Sequence, residues 1–405
     1  MPASDKLHIL SVIDDLYFGG DEYRLLAFGR TLNRNQFDHT LVTIFSPDSD
    51  SEKRHGSLRR SFLESGIDVI HLEESHASEA PRSAGIVQSL RSGATLCRRL
   101  KKLCRVIQDR NIDVLDIHLA PANPLGLVAG LIKSRPSAIT LYQTMGMEHW
   151  LHWLSGQFNL CMADRLITDS EAQKESIRRW TLRRCKACVI PNGTSLRESG
   201  FTPAQVRAML ELPADPNVRI IGQISGLIPY KGQMGLLDAA YRVLQQEPNV
   251  VFLIVGYVRG DPDYKEQLQQ RASALGIAQQ VKIVSYAGDI ADIWSVIDIH
   301  VHASLIDSLP NAILEGMSLG KPAAVAGVGG VSEVIESEET GLIVPPGDPQ
   351  ALATALLRFL RDPELGRRLG RSAYARYHAS FRPESMTRKL EQCFLEIAAN
   401  GGKFE

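Results

Sequence analysis

No apolar run in this 405-residue chain reaches the roughly 18 residues that a membrane-spanning helix needs. The amino terminus also lacks a basic segment followed by an apolar core, the pattern that directs export. The expectation is a chain that is neither embedded nor exported and that works in the cytoplasm. A charge imbalance is missing too: 45 basic residues stand against 46 acidic ones. That balance removes the global field that recruits nucleic acid or an anionic bilayer, so no nucleic-acid partner is expected and any such contact must come from a local patch. The six cysteines, at positions 97, 104, 161, 185, 188 and 393, have no framework spacing and read as reduced thiols. Cys185 and Cys188 form one CxxC. A zinc site wants a second pair of ligands and a redox site a thioredoxin-like setting, so two small residues beside a strand is the simpler account. The acidic triplets DSD at 48–50 and DPD at 261–263 fall in loops and receive no metal role.

What is present alternates. The length suggests two or three domains. Apolar strands read at 7–13, 39–45, 68–72, 114–119, 137–142, 165–170 and 187–191, with helical patterns between most of them. A second series reads at 219–225, 250–256, 281–285, 298–304, 322–326 and 341–345, with helices at about 232–246, 263–275, 289–297, 310–319, 331–337 and 349–361. Strand and helix in alternation mean an α/β chain of doubly wound parallel sheets, here two of them. The expected division is 1–193 and 194–382. Pro203, Pro213 and Pro216 interrupt the segment after VIPNG as a linker would, and a last helix from Pro383 packs back. Residues 73–92, small, polar and proline-bearing, read as a long loop. The next segment, 96–111, is an amphipathic helix with Leu96, Leu100, Leu103 and Ile107 on one side. Arg98, Arg99, Lys101, Lys102 and Arg105 line the other, a crossover helix with a solvated cationic face or a weak membrane-surface contact.

Three places carry chemistry. After the first strand, Gly19 and Gly20 precede a helix from about Asp21. Glycines let the backbone approach an anion while the free amides at the helix start point at it, although a Gly-Gly turn is more often only a turn. Lys231 stands just before another helix. The stretch from Asp298 to Gly330 reads as strand, helix and strand, with Asp307 or Ser308 capping the helix, Pro310 in its first turn, and Gly320 and Pro322 ending it. Asp307 and Glu315 then lie roughly 12 Å apart on nearly the same side. That is wider than the roughly 5 to 9.5 Å of a glycosidase carboxylate pair, and it suits two hydroxyl-bearing rings joined by a linker, as in a nucleotide sugar. The plainer reading makes Asn311, Glu315 and Ser318 the wet stripe of an amphipathic helix.

Taken in order, ADRLITDSEAQKE, VIPNG, GLIPYKG, LIVG, the Asp307-x7-Glu315 helix, GKPAAVAGVGGVSEVI and GLIVPPGD resemble a retaining family 4 glycosyltransferase of the GT-B fold, over residues 7 to about 360. The resemblance implies transfer of a sugar from a nucleotide-sugar donor, UDP-sugar before GDP-sugar, in a cleft between two Rossmann-like domains. It implies no cofactor and no catalytic metal, and a polysaccharide, lipid-linked or other glycoconjugate acceptor. Lys231 would face the departing diphosphate, with the amides around Gly19 and Gly20 opposite. Glu315 would hold the ribose hydroxyls and Asp307 would meet the transferred sugar. The amides of Ser308 and Leu309 would reach the diphosphate or sugar, and Tyr286 would frame the base. Two departures stand out. Asp307 occupies a position where Glu is usual, and Gly226 replaces the basic residue five positions before the lysine. The usual acceptor-side histidine is also absent from TLYQTMGMEHW, where Tyr142, Gln143 or His149 could take its place, with His118 as a further candidate or a core histidine. Rival readings are a binding protein that has lost turnover and a GT-B epimerase, the latter disfavoured by the Asp307-x7-Glu315 helix and the KG motif.

Overall fold

The computed structural model describes residues 6–17, 19–46, 57–73, 86–118, 122–141, 157, 160–180 and 186–399. They fall into two compact units, Met1–Pro191 completed by Pro383–Glu405, and Asn192–Arg382. The division comes within the VIPNG run, two residues before the expected one.

The first unit is built on seven strands, β1 Leu7–Ile13, β2 Phe37–Phe45, β3 Asp68–Glu73, β4 Val114–His118, β5 Ser137–Leu141, β6 Arg165–Thr168 and β7 Ala187–Val189. They pair in parallel in the order β3-β2-β1-β4-β5-β6-β7. Chain order reverses between β1 and β4, the point where open α/β sheets leave a crevice at their carboxyl ends. Helices cover both faces, which is why Ile9 to Ile13 are all buried rather than alternating. On one face Leu10, Val12, Val42 and Ile117 meet Leu103 and Ile107. On the other, Ile9, Phe37 and Val114 meet Phe28 of helix Gly20–Thr31 and Met386, Leu390, Phe394 and Ile397 of helix Pro383–Ala399.

The second unit repeats the plan with β8 Arg219–Ile224, β9 Val250–Val255, β10 Val281–Val284, β11 Ile299–His302, β12 Ala323–Ala326 and β13 Leu342–Val344. Its order is β10-β9-β8-β11-β12-β13, again all parallel, with the reversal between β8 and β11. Ile221, Phe252 and Ile254 pack under helices Gln233–Leu244 and Pro349–Arg361, and the opposite face is filled around fully buried Trp294. Asp348 caps the Pro349 helix through a 2.9 Å bond from the Ala351 amide.

Two expectations need correction. The basic helix runs Ile86–Asp109, ten residues earlier than its expected start, so 86–92 are helical; residues 74–85 lie outside the described part. Once a helix is nucleated, adding a residue costs little, and its strongly amphipathic end carries the polar IVQSLRS with it. Pro203 does not interrupt a linker. It opens helix Pro203–Met209, capped by Thr202 and Gln205 in a reciprocal box, with Val206 in the second core. Among the described residues, no helix is long and apolar enough to cross a membrane.

Candidate functional site

At the reversal point of the second sheet, β8 and β11 end side by side and their following loops are locked together. A short 3-10 turn, Pro229–Lys231, is followed by Gly232 in the left-handed region at φ +73°. A Cβ there would lie 1.9 Å from the Ala303 carbonyl oxygen, so only glycine admits this approach. The Leu305 amide donates to the Tyr230 carbonyl at 2.8 Å. Gln223, wholly buried, donates to the Lys231 carbonyl at 2.9 Å and accepts from the Ala303 amide at 3.3 Å. These bonds set Lys231 Nζ 2.6 Å from Asp307 Oδ2.

His302, the last residue of β11, brings its Nε2 to 2.9 Å from the same oxygen. Burial alone would raise the Asp307 pKa, but the His302 hydrogen bond and the Lys231 charge outweigh it and hold the carboxyl well below the usual range. An ionised Asp307 can only accept, so His302 Nε2 carries the hydrogen.

Asp307 does not cap the following helix. The helix runs Asn311–Ser318 with Pro310 at the N-cap and no side-chain cap, so the helical spacing assumed for Asp307 and Glu315 does not extend back to 307. Asp307 is instead taken by Lys231 and His302, whose charge-assisted bonds exceed what a cap offers. Behind it, Gly329 at φ +51° lets the GVGG turn pass beneath: a Cβ there would lie 2.1 Å from the Asp307 carbonyl oxygen. The Gly330 amide donates to the Ser308 carbonyl at 2.7 Å, and Asn192 Nδ2 donates to that of Leu309 at 3.0 Å. Ser308 and Leu309 are both buried and so held on a fixed loop.

Glu315 is not on a wet stripe. It is buried, accepts from Trp294 Nε1 at 2.9 Å, and burial pushes its carboxyl up to about 7 against the pull of that donor. Trp294 is itself wedged by the His300 ring, 5.0 Å away edge to face, and by Gly316, where a Cβ would meet both rings at 3.1 to 3.2 Å. Neither ring nitrogen of His300 has a partner, and burial lowers its pKa to about 3, so it serves here as a neutral wedge. Tyr286, half-buried after β10, donates to Asp292 Oδ2 at 2.7 Å, and Ser199 Oγ donates to the other oxygen at 2.7 Å. Burial and that carboxylate push the phenol up to about 12.

In the first unit, Gly19 is the N-cap of helix Gly20–Thr31. A Cβ on Gly19 would lie 2.2 Å from Glu22 Oε2, so the buried Glu22 folds its carboxylate back over the helix start. The chain therefore brings its own carboxyl group to the place expected to cradle a phosphate. His118 lies in the sheet interior, its Nε2 2.7 Å from Asp116 Oδ2. Thr140 donates to Asp116 Oδ1 at 2.9 Å, Ser11 to Oδ2 at 3.3 Å, and His39 reaches Ser11 Oγ at 3.0 Å. This chain of buried polar groups across β2, β1, β4 and β5 makes His118 a core histidine. Tyr142, Gln143 and His149 lie outside the described residues.

Sequence reasoning missed His302, Gln223 and Trp294. The signal for His302 was His300-x-His302, two same-face histidines at the end of a strand that leads to Asp307. Among the described residues, no group of three or more His, Cys, Asp or Glu forms a possible metal site.

Residues 208–376 match the family described as glycosyl transferases group 1, and residues 19–193 match a glycosyl transferase 4-like domain. A D-inositol 3-phosphate glycosyltransferase of Streptomyces avermitilis is 34% identical over 224 residues, 52% of this chain and 47% of the relative. The chain thus spans about half the length of that curated relative. A UDP-Gal:alpha-D-GlcNAc-diphosphoundecaprenol alpha-1,3-galactosyltransferase of Escherichia coli is 24% identical over 69% of this chain and 73% of its own length. Among solved structures, Anabaena HepE in complex with UDP-glucose superposes with a TM-score of 0.80 at 21% identity, covering 96% of this chain and 100% of that one. Sucrose-phosphate synthase of Thermosynechococcus elongatus does so at 0.76 and 21%, covering 97% and 100%.

Proposed function

Because this chain belongs to the family of group 1 glycosyl transferases and has the GT-B fold, we propose that it transfers a sugar, with retention, from a nucleotide-sugar donor to a glycan or lipid-linked acceptor. A UDP-sugar is the favoured donor and a GDP-sugar the alternative. The observation that carries the reading is the Lys231–Asp307–His302 cluster at the carboxyl ends of β8 and β11, where a doubly wound sheet takes its ligand. Negative charge grows on the diphosphate as the sugar leaves, and a fixed ammonium stabilises it without reorganising. Lys231 is the ammonium, Asp307 faces the sugar, Glu315 takes the ribose hydroxyls, Tyr286 borders the base, and the Ser308 and Leu309 amides lie beside the phosphates. No metal is required for this scheme.

The donor preference draws support from HepE, whose structure holds UDP-glucose, and from the E. coli relative, which uses UDP-Gal and a diphosphoundecaprenol-linked acceptor. A lipid-linked acceptor would give the basic helix a role at an anionic surface, where each exposed cation contributes about 1 kcal/mol. Arg99 and Lys102 are already engaged, by Glu73 and by the Leu72 carbonyl, so Arg98, Lys101 and Arg105 are the residues to reverse in a vesicle-sedimentation assay.

The deciding experiment measures donor hydrolysis or transfer over a panel of nucleotide sugars, with excess EDTA in one arm. Wild type should turn over in both arms, and Lys231→Ala should lose at least two orders of magnitude, roughly 3 kcal/mol. An unaffected Lys231→Ala would remove the diphosphate from this position. Loss in EDTA that manganese restores would end the metal-free scheme.

A further inference from the structure

The helix that returns to the first unit from the far end of the chain makes one contact that is chemical rather than apolar. On helix Pro383–Ala399 the buried residues that pack on the sheet include Met386, Leu390, Cys393, Phe394 and Ile397. Spacings of three and four put them on one stripe, with Cys393 in its middle. Against that stripe packs Cys188 of β7, the edge strand of the sheet, where it is paired with Ile167 of β6 and is only half-buried. The two sulfurs, 205 positions apart in the sequence, are in contact at 3.7 Å.

Other bonds already hold the helix in place. The hydroxyls of Thr31 and Thr387 are 2.5 Å apart, the Asn33 amide donates to Glu391 Oε1 at 2.7 Å, and Arg165 lies 3.4 Å from Glu396 Oε2. The thiols are therefore presented to each other by a docked helix while both are still reduced. They are also unequal. Cys188 Sγ donates to the Leu166 carbonyl at 3.6 Å, and Cys393 can donate to Cys188. That Cys393 hydrogen bond, with the charges of Arg165 and Arg24, outweighs burial and lowers the Cys188 pKa, while the same bond and burial push the Cys393 thiol up. Cys188 is thus the sulfur that gives up its proton, and at the sheet edge it is the one a small oxidant reaches.

We propose that Cys188 and Cys393 are a modification site, which hydrogen peroxide converts to a disulfide that staples the returning helix to β7. The Cys188 thiolate attacks one peroxide oxygen. The O–O bond breaks, hydroxide leaves to take up the proton that Cys188 released, and Cys188 becomes a sulfenic acid. The Cys393 sulfur then attacks the Cys188 sulfur. An S–S bond forms as the S–O bond breaks, and the departing hydroxyl leaves as water with the Cys393 proton. The two sulfurs together lose the two electrons that reduce one peroxide to two waters. The sulfurs close from 3.7 Å to the roughly 2.05 Å of a disulfide, a movement of side-chain size. The bond encloses the whole second unit, Asn192–Arg382, in its loop, and a loop that long removes much freedom from the unfolded chain.

The test treats the full folded chain with hydrogen peroxide, alkylates the thiols that remain, and digests with trypsin under non-reducing conditions. Peptide 187–197, which carries Cys188, should be joined to peptide 390–403, which carries Cys393, and dithiothreitol should separate them. The thermal midpoint of the first unit should rise by about 5 to 10 °C on oxidation and return on reduction. In Cys393→Ala the sulfenic acid on Cys188 should persist and take up dimedone, whereas in Cys188→Ala dimedone should leave Cys393 unlabelled. Wild type that yields both peptides alkylated and unjoined, or Cys188 joined to Cys185 instead, overturns the assignment. So does a joined protein whose midpoint does not move, because the bond would then staple nothing. Should a variant not fold, the peptide map of wild type decides alone.

Discussion

Each unit places a histidine against an aspartate where its strand order reverses, and the two pairs have different fates. In the first, Asp116 and His118 both belong to β4, two residues apart on one face, and their side chains are 3% and 2% exposed. The other partners of Asp116 are hydroxyls from neighbouring strands. In the second, His302 closes β11 while Asp307 lies five residues beyond it on a loop, 12% exposed and paired with a lysine that is 18% exposed. A carboxylate inside a strand is surrounded by the sheet. One on the loop past the strand end keeps an open side for a ligand, and glycine locks rather than sheet pairing hold it there.

The comparison can be broken from either side. Asp116→Ala should have the largest effect, because it leaves a buried polar chain without its acceptor: unfolding free energy should fall by about 3 to 5 kcal/mol in a denaturant titration. An unchanged midpoint would deny the pair its structural role. Asp307→Asn should spare stability yet lower turnover about 100-fold, roughly 3 kcal/mol, while UDP binds no worse, because Lys231 loses a competitor. Glu315→Ala should instead weaken UDP itself; if both variants weaken it equally, the two carboxylates do not divide the donor as assigned.

Glu315 also sharpens the contrast through pH. Its folded carboxyl titrates near 7, above the ordinary 4.5. Between those values the folded state holds the extra proton, so its contribution to stability is complete below 4.5 and is lost as pH rises through 7. Ribose hydroxyls donate to the ionised form, so UDP binding should tighten as pH passes upward through about 7 and release a proton. Titration in two buffers of different ionisation enthalpy should detect that proton in wild type and not in Glu315→Gln. A smaller effect is expected from His302→Leu, about tenfold in turnover or 1.4 kcal/mol, since Lys231 still orients Asp307. His118→Leu should leave turnover unchanged in the fraction that folds.

Most of the architecture was legible because it is written locally. Apolar runs of strand length between caps and prolines put β11 and helix Asn311–Ser318 within a residue or two of their expected positions. The site was less legible because its decisive partners are distant in the chain. Asp307 reads as a cap until Lys231, 76 residues away, claims it. Glu315 reads as a wet position until Trp294 covers it. Tertiary contacts overrule local preference where a ligand must be held, and no spacing rule reports which side chains converge.

Helix Pro383–Ala399 has a consequence in time. The chain leaves the first unit after Pro191 and returns to it at Pro383. During synthesis the first 191 residues thus emerge without the segment that covers Ile9, Phe37 and Val114. Another 191 residues, 192 to 382, must be made before that segment follows. At about 5 to 20 residues per second the wait is roughly 10 to 40 s, ample for the second sheet to form first. The unit that is begun earlier is therefore the one completed later, once helix Pro383–Ala399 has been made.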